Sequence, residues 1–118
     1  MILVDTSVWV DHLRRGNEEL QGLLYESKVL CHPFVTGELA CSSLKNRQEI
    51  LALLRSLPQA HVAETEEVLR LVEDARLHGR SIGWVDAHLL TATLLSRTLI
   101  WTLDRQLALA AKSLRISL

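Results

Sequence analysis

The sequence predicts an α/β fold, a three-layer α/β/α sandwich around a central parallel sheet. Three observations carry this expectation. Brief, largely aliphatic runs at Ile2–Val4, Lys28–Cys31 and Leu99–Thr102 have strand character. The stretches between them repeat their apolar residues at helical spacing. Strands that alternate with amphipathic helices form parallel sheets covered on both faces. With 118 residues, 48% of them apolar, the chain can build one hydrophobic core but not two, so residues 1–118 are read as one compact domain.

In chain order, Ile2-Leu3-Val4 is a buried strand running into Asp5-Thr6-Ser7, residues suited to a turn and a helix cap. Asn17 caps a second helix with Leu20, Leu23 and Leu24 on one face, and Lys28–Cys31 is the next strand. Pro33 suits a helix start, and Val35–Leu44 is helix-compatible despite Gly37. Ile50, Leu51, Leu54 and Leu57 repeat through another helix until Pro58 closes it. His61-Val62-Ala63 is a short strand candidate. Thr65 then caps a helix with Glu66 and Glu67 in its first turn, Val68, Leu71, Val72 and Ala75 on one face, and Gly79 as its end. Val85–Ser96 is apolar nearly all round, with Leu89, Leu90, Ala92, Leu94 and Leu95, which predicts a buried helix. Leu99–Thr102 is a strand, Asp104 opens a last helix with Leu107, Ala108, Ala110 and Ala111, and Leu114–Ile116 is a candidate final strand.

Composition narrows the function. No apolar stretch approaches the roughly 20 residues of a bilayer span, and Ile2–Val4 is too short for a signal-peptide core. The expectation is a soluble, cytoplasmic protein without a membrane partner. Cys31 and Cys41 form no CxxC pair and have no histidine at zinc-like spacing, so reduced thiols are expected. Thirteen basic residues against fourteen acidic ones give a net charge of −1, which lacks the electrostatic footprint of a nucleic-acid binder. A bound divalent cation can, however, neutralise phosphate and acidic side chains locally. His12, His32, His61, His78 and His88 show no paired spacing, which gives no support to zinc or histidine-base chemistry. His88 is expected to be packed or solvent-facing.

Asp5 and Asp104 fall at the carboxyl ends of predicted strands, where open parallel sheets collect their ligands. Asp86 lies in the apolar helix and Glu38 in an earlier one. Carboxylates in apolar surroundings need a partner, and acids that share a site repel unless a proton or a cation intervenes. A hard divalent ion with oxygen ligands, Mg²⁺ or Mn²⁺, answers this. Each acid also has a plainer reading: Asp5 and Asp104 as helix caps, Asp86 as a first-turn acid favoured by the helix dipole, and Glu38 as a solvated surface residue.

The runs Leu3-Val4-Asp5-Thr6-Ser7-Val8-Trp9, Thr36-Gly37-Glu38-Leu39, Gly83-Trp84-Val85-Asp86-Ala87-His88-Leu89-Leu90 and Trp101-Thr102-Leu103-Asp104-Arg105 resemble, in order and context, the acidic signatures of PIN domains. The resemblance spans Ile2 to about Ala111 and is closest to the short VapC toxins. It implies a PIN-like fold and a Mg²⁺- or Mn²⁺-dependent endoribonuclease, the toxin of a type II toxin–antitoxin system. Asp5, Glu38, Asp86 and Asp104 would be its metal-holding acids, with Ser7 and Thr102 as hydroxyls that position water, metal or phosphate. It also implies an RNA substrate, a VapB-like antitoxin and a homodimer. Some relatives carry a further acid after the last aspartate, where Arg105-Gln106-Leu107-Ala108 offers none, which leaves a second metal open.

RNA would have to be held by a few cations among Arg14, Arg15, Lys45, Arg47, Arg80 and Arg105. Trp84 is available to stack on a base, while Trp9 and Trp101 sit inside apolar runs and suit the core. An aspartyl-phosphate enzyme using Asp5 as nucleophile is the first rival. Ser7 stands where such enzymes usually place a second acid, and no glycine-rich phosphate cradle is present. An RNA-processing nuclease that is not a toxin, or a non-catalytic partner-binding module on the same fold, also remains open.

Overall fold

The computed structural model describes residues 1–118. Three parallel strands, β1 (Ile2–Val4), β2 (Val29–Leu30) and β3 (Leu99–Trp101), form one sheet in the order β2-β1-β3. Ile2 and Leu3 are in register with Val29 and Leu30 on one side of β1. On the other side Ile2, Leu3 and Val4 meet Leu99, Ile100 and Trp101. Seven helices complete the chain: α1 (Thr6–Arg15), α2 (Glu18–Tyr25), α3 (Pro33–Ala40), α4 (Arg47–Ser56), α5 (Thr65–Asp74), α6 (Trp84–Leu95) and α7 (Arg105–Ser113). The radius of gyration, 13.7 Å, is that of one compact body of this length. Leu3, Val4, Leu89 and Ile100, from β1, α6 and β3, lie in the central core. No helix is long and apolar enough to cross a membrane, and both cysteines are free thiols.

Local chemistry sets most boundaries as the sequence predicts. Asn17 accepts the Leu20 N–H at 2.9 Å and starts α2. Pro33 opens α3, where the missing N–H costs nothing, and the ring nitrogen Nδ1 of His32 caps it by accepting the Phe34 N–H at 2.9 Å.

Six expectations need correction. α3 stops at Ala40 rather than continuing to Leu44, because Ser42 turns its hydroxyl onto the Leu39 carbonyl and Arg47 takes the Ala40 carbonyl, ending the helical ladder. His61–Ala63 is not a strand: pairing falls earlier, at a bridge between Cys31 and Gln59, where Ala60 donates to the Cys31 carbonyl at 2.7 Å. α5 is capped by Glu64, one residue before Thr65, since Glu67 reaches back to the Glu64 N–H at 2.8 Å. That helix ends at Asp74, well before Gly79, because Arg76 adopts the left-handed conformation and the Leu77 N–H returns to the Val72 carbonyl at 2.9 Å. This closure buries Leu77. α6 is buried from Ala87 to Thr93, but Leu94 and Leu95 at its last turn are exposed. The expected final strand is a single bridge from Ser117 to Ile100, with Leu118 donating to the Ile100 carbonyl at 3.0 Å.

Candidate active site

The strand order places the site. In a parallel sheet ordered 2-1-3, the chain goes from β1 to β2 on one side and then returns past β1 to β3 on the other, and such a reversal of strand order opens a crevice at the carboxyl ends of β1 and β3. Asp5 follows β1 and Thr102 follows β3, and the Asp5 N–H donates to the Trp101 carbonyl at 2.9 Å, fixing the two exits side by side. Asp5 is buried at 6% exposure. Its Oδ2 accepts from the Ser7 N–H at 3.3 Å and from the hydroxyls of Ser7 and Thr102, each at 2.7 Å. The two hydroxyls lie 3.2 Å apart. Each is anchored in turn, Ser7 Oγ accepting the Leu103 N–H at 2.9 Å and Thr102 Oγ1 the Asp104 N–H at 3.0 Å. Residues 95 or more apart in sequence are thereby locked around one carboxylate.

The other three acids are oriented by the same economy. Glu38, exposed on α3, accepts the Thr6 hydroxyl at 2.6 Å through Oε1. Asp86, in the first turn of α6, accepts the Gly83 N–H at 3.2 Å through Oδ2. Asp104 caps α7 by accepting the Leu107 N–H at 2.9 Å through Oδ1. Each carboxylate thus commits one oxygen to the fold and keeps the other (Asp5 Oδ1, Glu38 Oε2, Asp86 Oδ1, Asp104 Oδ2) without a hydrogen-bond partner in the protein. No basic side chain compensates them: the two ion pairs, Arg15 with Asp11 and Lys28 with Glu26, involve none of the four.

Electrostatics ties the four together. Asp86 is raised above its ordinary carboxylate range, first by burial and then by the charges of Asp5, Asp104 and Glu38, against a lowering hydrogen bond from Gly83. Oxygen-only, uncompensated donors of this kind suit a hard divalent cation such as Mg²⁺ or Mn²⁺. The set is open rather than closed, since no three His, Cys, Asp or Glu side chains stand close enough to hold one ion as placed. Uncompensated carboxylates lower their repulsion by standing apart. Glu38 and Asp104 are exposed and each is held through one oxygen only, so small side-chain rotations can bring their other oxygens in. The residues fit such an ion in chemistry, with Asp5 as the fixed member.

Beside the acids runs a chain of edge-to-face rings. Trp84 meets His88 at 4.8 Å between centroids, His88 meets Phe34 at 4.6 Å, and Phe34 meets His32 at 4.9 Å. His88 is packed, as the sequence suggested, and its Nδ1 and the Nε2 of His32 are buried without partners. Burial, with a smaller contribution from His88, pushes His32 down to about 4. Trp9 is in the core and Trp101 packs against it, as expected. Of the basic candidates, Arg15 is paired with Asp11 and Arg47 is engaged with backbone carbonyls. Arg14 and Lys45 border an open cleft of about 600 Å³ between α1, α3 and α4.

Sequence reasoning missed two orienting groups. Gly83 stands three residues before Asp86, a spacing that matches a capping box and could have been read. Thr6 and Glu38 are 32 residues apart, and no local pattern announces that hydrogen bond.

A family model described as PIN domain matches residues 2–113. The chain is 45% identical over 119 aligned positions to Ribonuclease VapC32 of Mycobacterium tuberculosis, in both the CDC 1551 / Oshkosh and the ATCC 25618 / H37Rv strains, covering 100% of this chain and 96% of the relative. Its fold is similar to the crystal structure of FitAcB from Neisseria gonorrhoeae, with a TM-score of 0.66 and 20% identity over 95% of this chain and 94% of the other.

Proposed function

The chain belongs to the PIN-domain family, and from that premise we propose that it is a Mg²⁺- or Mn²⁺-dependent endoribonuclease, the toxin of a VapBC-like pair. The observation that carries the reading is the acidic set: burial and the charges of Asp5, Asp104 and Glu38 raise the cost of ionising Asp86, with no ion pair to offset any of the four. Identity across the whole length with a protein named as a ribonuclease supports RNA as the substrate.

The chain's own residues bind and orient. Asp5 is the rigid member, held by Ser7 and Thr102, and presents Oδ1 to the crevice. Thr6 steers Glu38, Gly83 steers Asp86, and the α7 cap steers Asp104. When bound, a divalent ion supplies Lewis-acid chemistry at the phosphate and a lowered pKa for the attacking water. Ser7 and Thr102 act as positioning residues, because both hydroxyls are already committed to Asp5 and are not free as nucleophiles. A cognate antitoxin that covers the acids, and a homodimer, follow from the resemblance to VapC toxins.

The test is cleavage of single-stranded or looped RNA by the purified protein. Cleavage should require Mg²⁺ or Mn²⁺, need no zinc and stop on adding EDTA. Full activity in chelator would overturn the metal mechanism. Expression without an antitoxin should arrest growth, and harmless expression of a folded, active enzyme would remove the toxin role while leaving the nuclease.

A further inference from the structure

We propose that Trp84 seats a nucleobase of the substrate strand beside the scissile phosphate, making it a specificity-determining residue; this rests on the ribonuclease reading above. Trp84 is the first residue of α6 and is 45% exposed. Its backbone is fixed close to Asp86, because the Gly83 N–H bonds the Asp86 carboxylate at 3.2 Å and the Ala87 N–H returns to the Gly83 carbonyl at 3.0 Å, closing the first turn of α6. The ring is braced from within, edge-on at 86° to His88, which is 5% exposed and rests in turn on Phe34. Part of the indole surface remains open to solvent.

The surroundings are suited to a base rather than to a phosphate. Trp84 itself borders a pocket of about 260 Å³ with Leu69, Val72 and Ile82, while its neighbour Val85 and the Phe34 that supports His88 line an open groove of about 670 Å³ that has Glu38 in its wall. That groove is largely apolar and continuous with the acids through Glu38. A strand whose phosphate lies at Asp5 and Asp86 carries its neighbouring bases past this region. With a net charge of −1, stacking offers affinity that overall electrostatics does not, and every base has a π-face to give.

The experiment begins with a randomised single-stranded RNA pool, whose cut ends are read by sequencing. The best-cut sequence is then made as a series with one abasic nucleotide at each position in turn. Trp84→Leu keeps apolar volume against His88 and loses the aromatic face, while Trp84→Phe keeps a face. Trp84→Leu should raise KM roughly 5- to 150-fold, the range one base–aromatic stack accounts for, with kcat and melting temperature little changed. Trp84→Phe should recover most of that loss. In the wild type, one abasic position near the cut should cost a similar factor, and in Trp84→Leu that position should cost nothing further. Unchanged KM with an unchanged abasic profile would overturn the proposal. So would a Trp84→Leu variant that loses self-association while cutting normally, which would assign the indole to a protein contact. A wild type that cuts no RNA under Mg²⁺ or Mn²⁺ would overturn the ribonuclease reading itself, and with it this one.

Discussion

Asp5 and Asp104 each cap a helix and each face the crevice, and the two roles use different oxygens of the same carboxylate. Capping and metal binding are therefore compatible, and a substitution can separate them. Asparagine presents one acceptor oxygen and caps about as well as aspartate, so Asp104→Asn retains the bond to the Leu107 N–H and loses the charge. In chelator, that variant should melt within about 1 kcal/mol of wild type, or slightly above it, because one member of a mutually repelling set is gone. Mn²⁺ should raise the melting temperature of the wild type far more than that of Asp104→Asn or Asp5→Asn, and RNA cleavage should fall by orders of magnitude in both. Variants that gain as much from Mn²⁺ and still cut RNA would return these aspartates to capping alone.

Among the elements, α3 carries the most instructive junction. His32 caps the helix that delivers Glu38, and it does so through an unprotonated Nδ1 accepting the Phe34 N–H, with Nε2 buried and unpartnered. Protonation would place a charge on a residue with no exposed surface and would destroy the cap. The sign follows directly. The folded-state value is lowered to about 4 from 6.5, so the unfolded chain binds the proton more readily. The stability gained from neutral His32 is complete above pH 6.5 and drains away as pH falls toward 4, by on the order of 3 kcal/mol. His88, lowered by burial, acts in the same sense. His32→Asn can keep an acceptor at the cap without titrating. The loss of denaturant stability between pH 7 and pH 5 should be visibly smaller in that variant than in the wild type. An equal loss in both would show that the acid sensitivity lies elsewhere.

At the scale of the whole molecule, the net charge of −1 limits how RNA can be held. Two of the candidate cations, Arg15 and Arg47, are already engaged within the fold, which leaves a few phosphate contacts. For single strands, two or three such contacts give a slope of roughly −2 in log affinity against log salt. Titrating a single-stranded RNA into the Asp104→Asn variant over a range of salt should return a value near this, and a slope steeper than about −4 would reveal a basic surface that the charge distribution does not suggest.

Local rules made much of the molecule legible. Ile2–Val4 before Asp5-Thr6-Ser7, Asn17 ahead of Leu20 and Asp104 ahead of Leu107 encode strand exits and caps within a few residues, and each forms as read. The four acids were legible as candidates because their strand ends and apolar surroundings are local facts, and the family resemblance joined them. Other features depended on partners distant in sequence. Thr6 meets Glu38 across 32 residues, and β3 pairs with β1, bringing Thr102 to Asp5 across 97. α5 ends at Asp74 rather than Gly79 because Leu77 must be buried. Hydrogen bonds closed within one turn are written in adjacent residues. Which side chains orient the acids, and which oxygens remain free, was decided by the packing of α1, α3, α6 and β3 around a three-stranded sheet, because only there do those groups come within bonding distance.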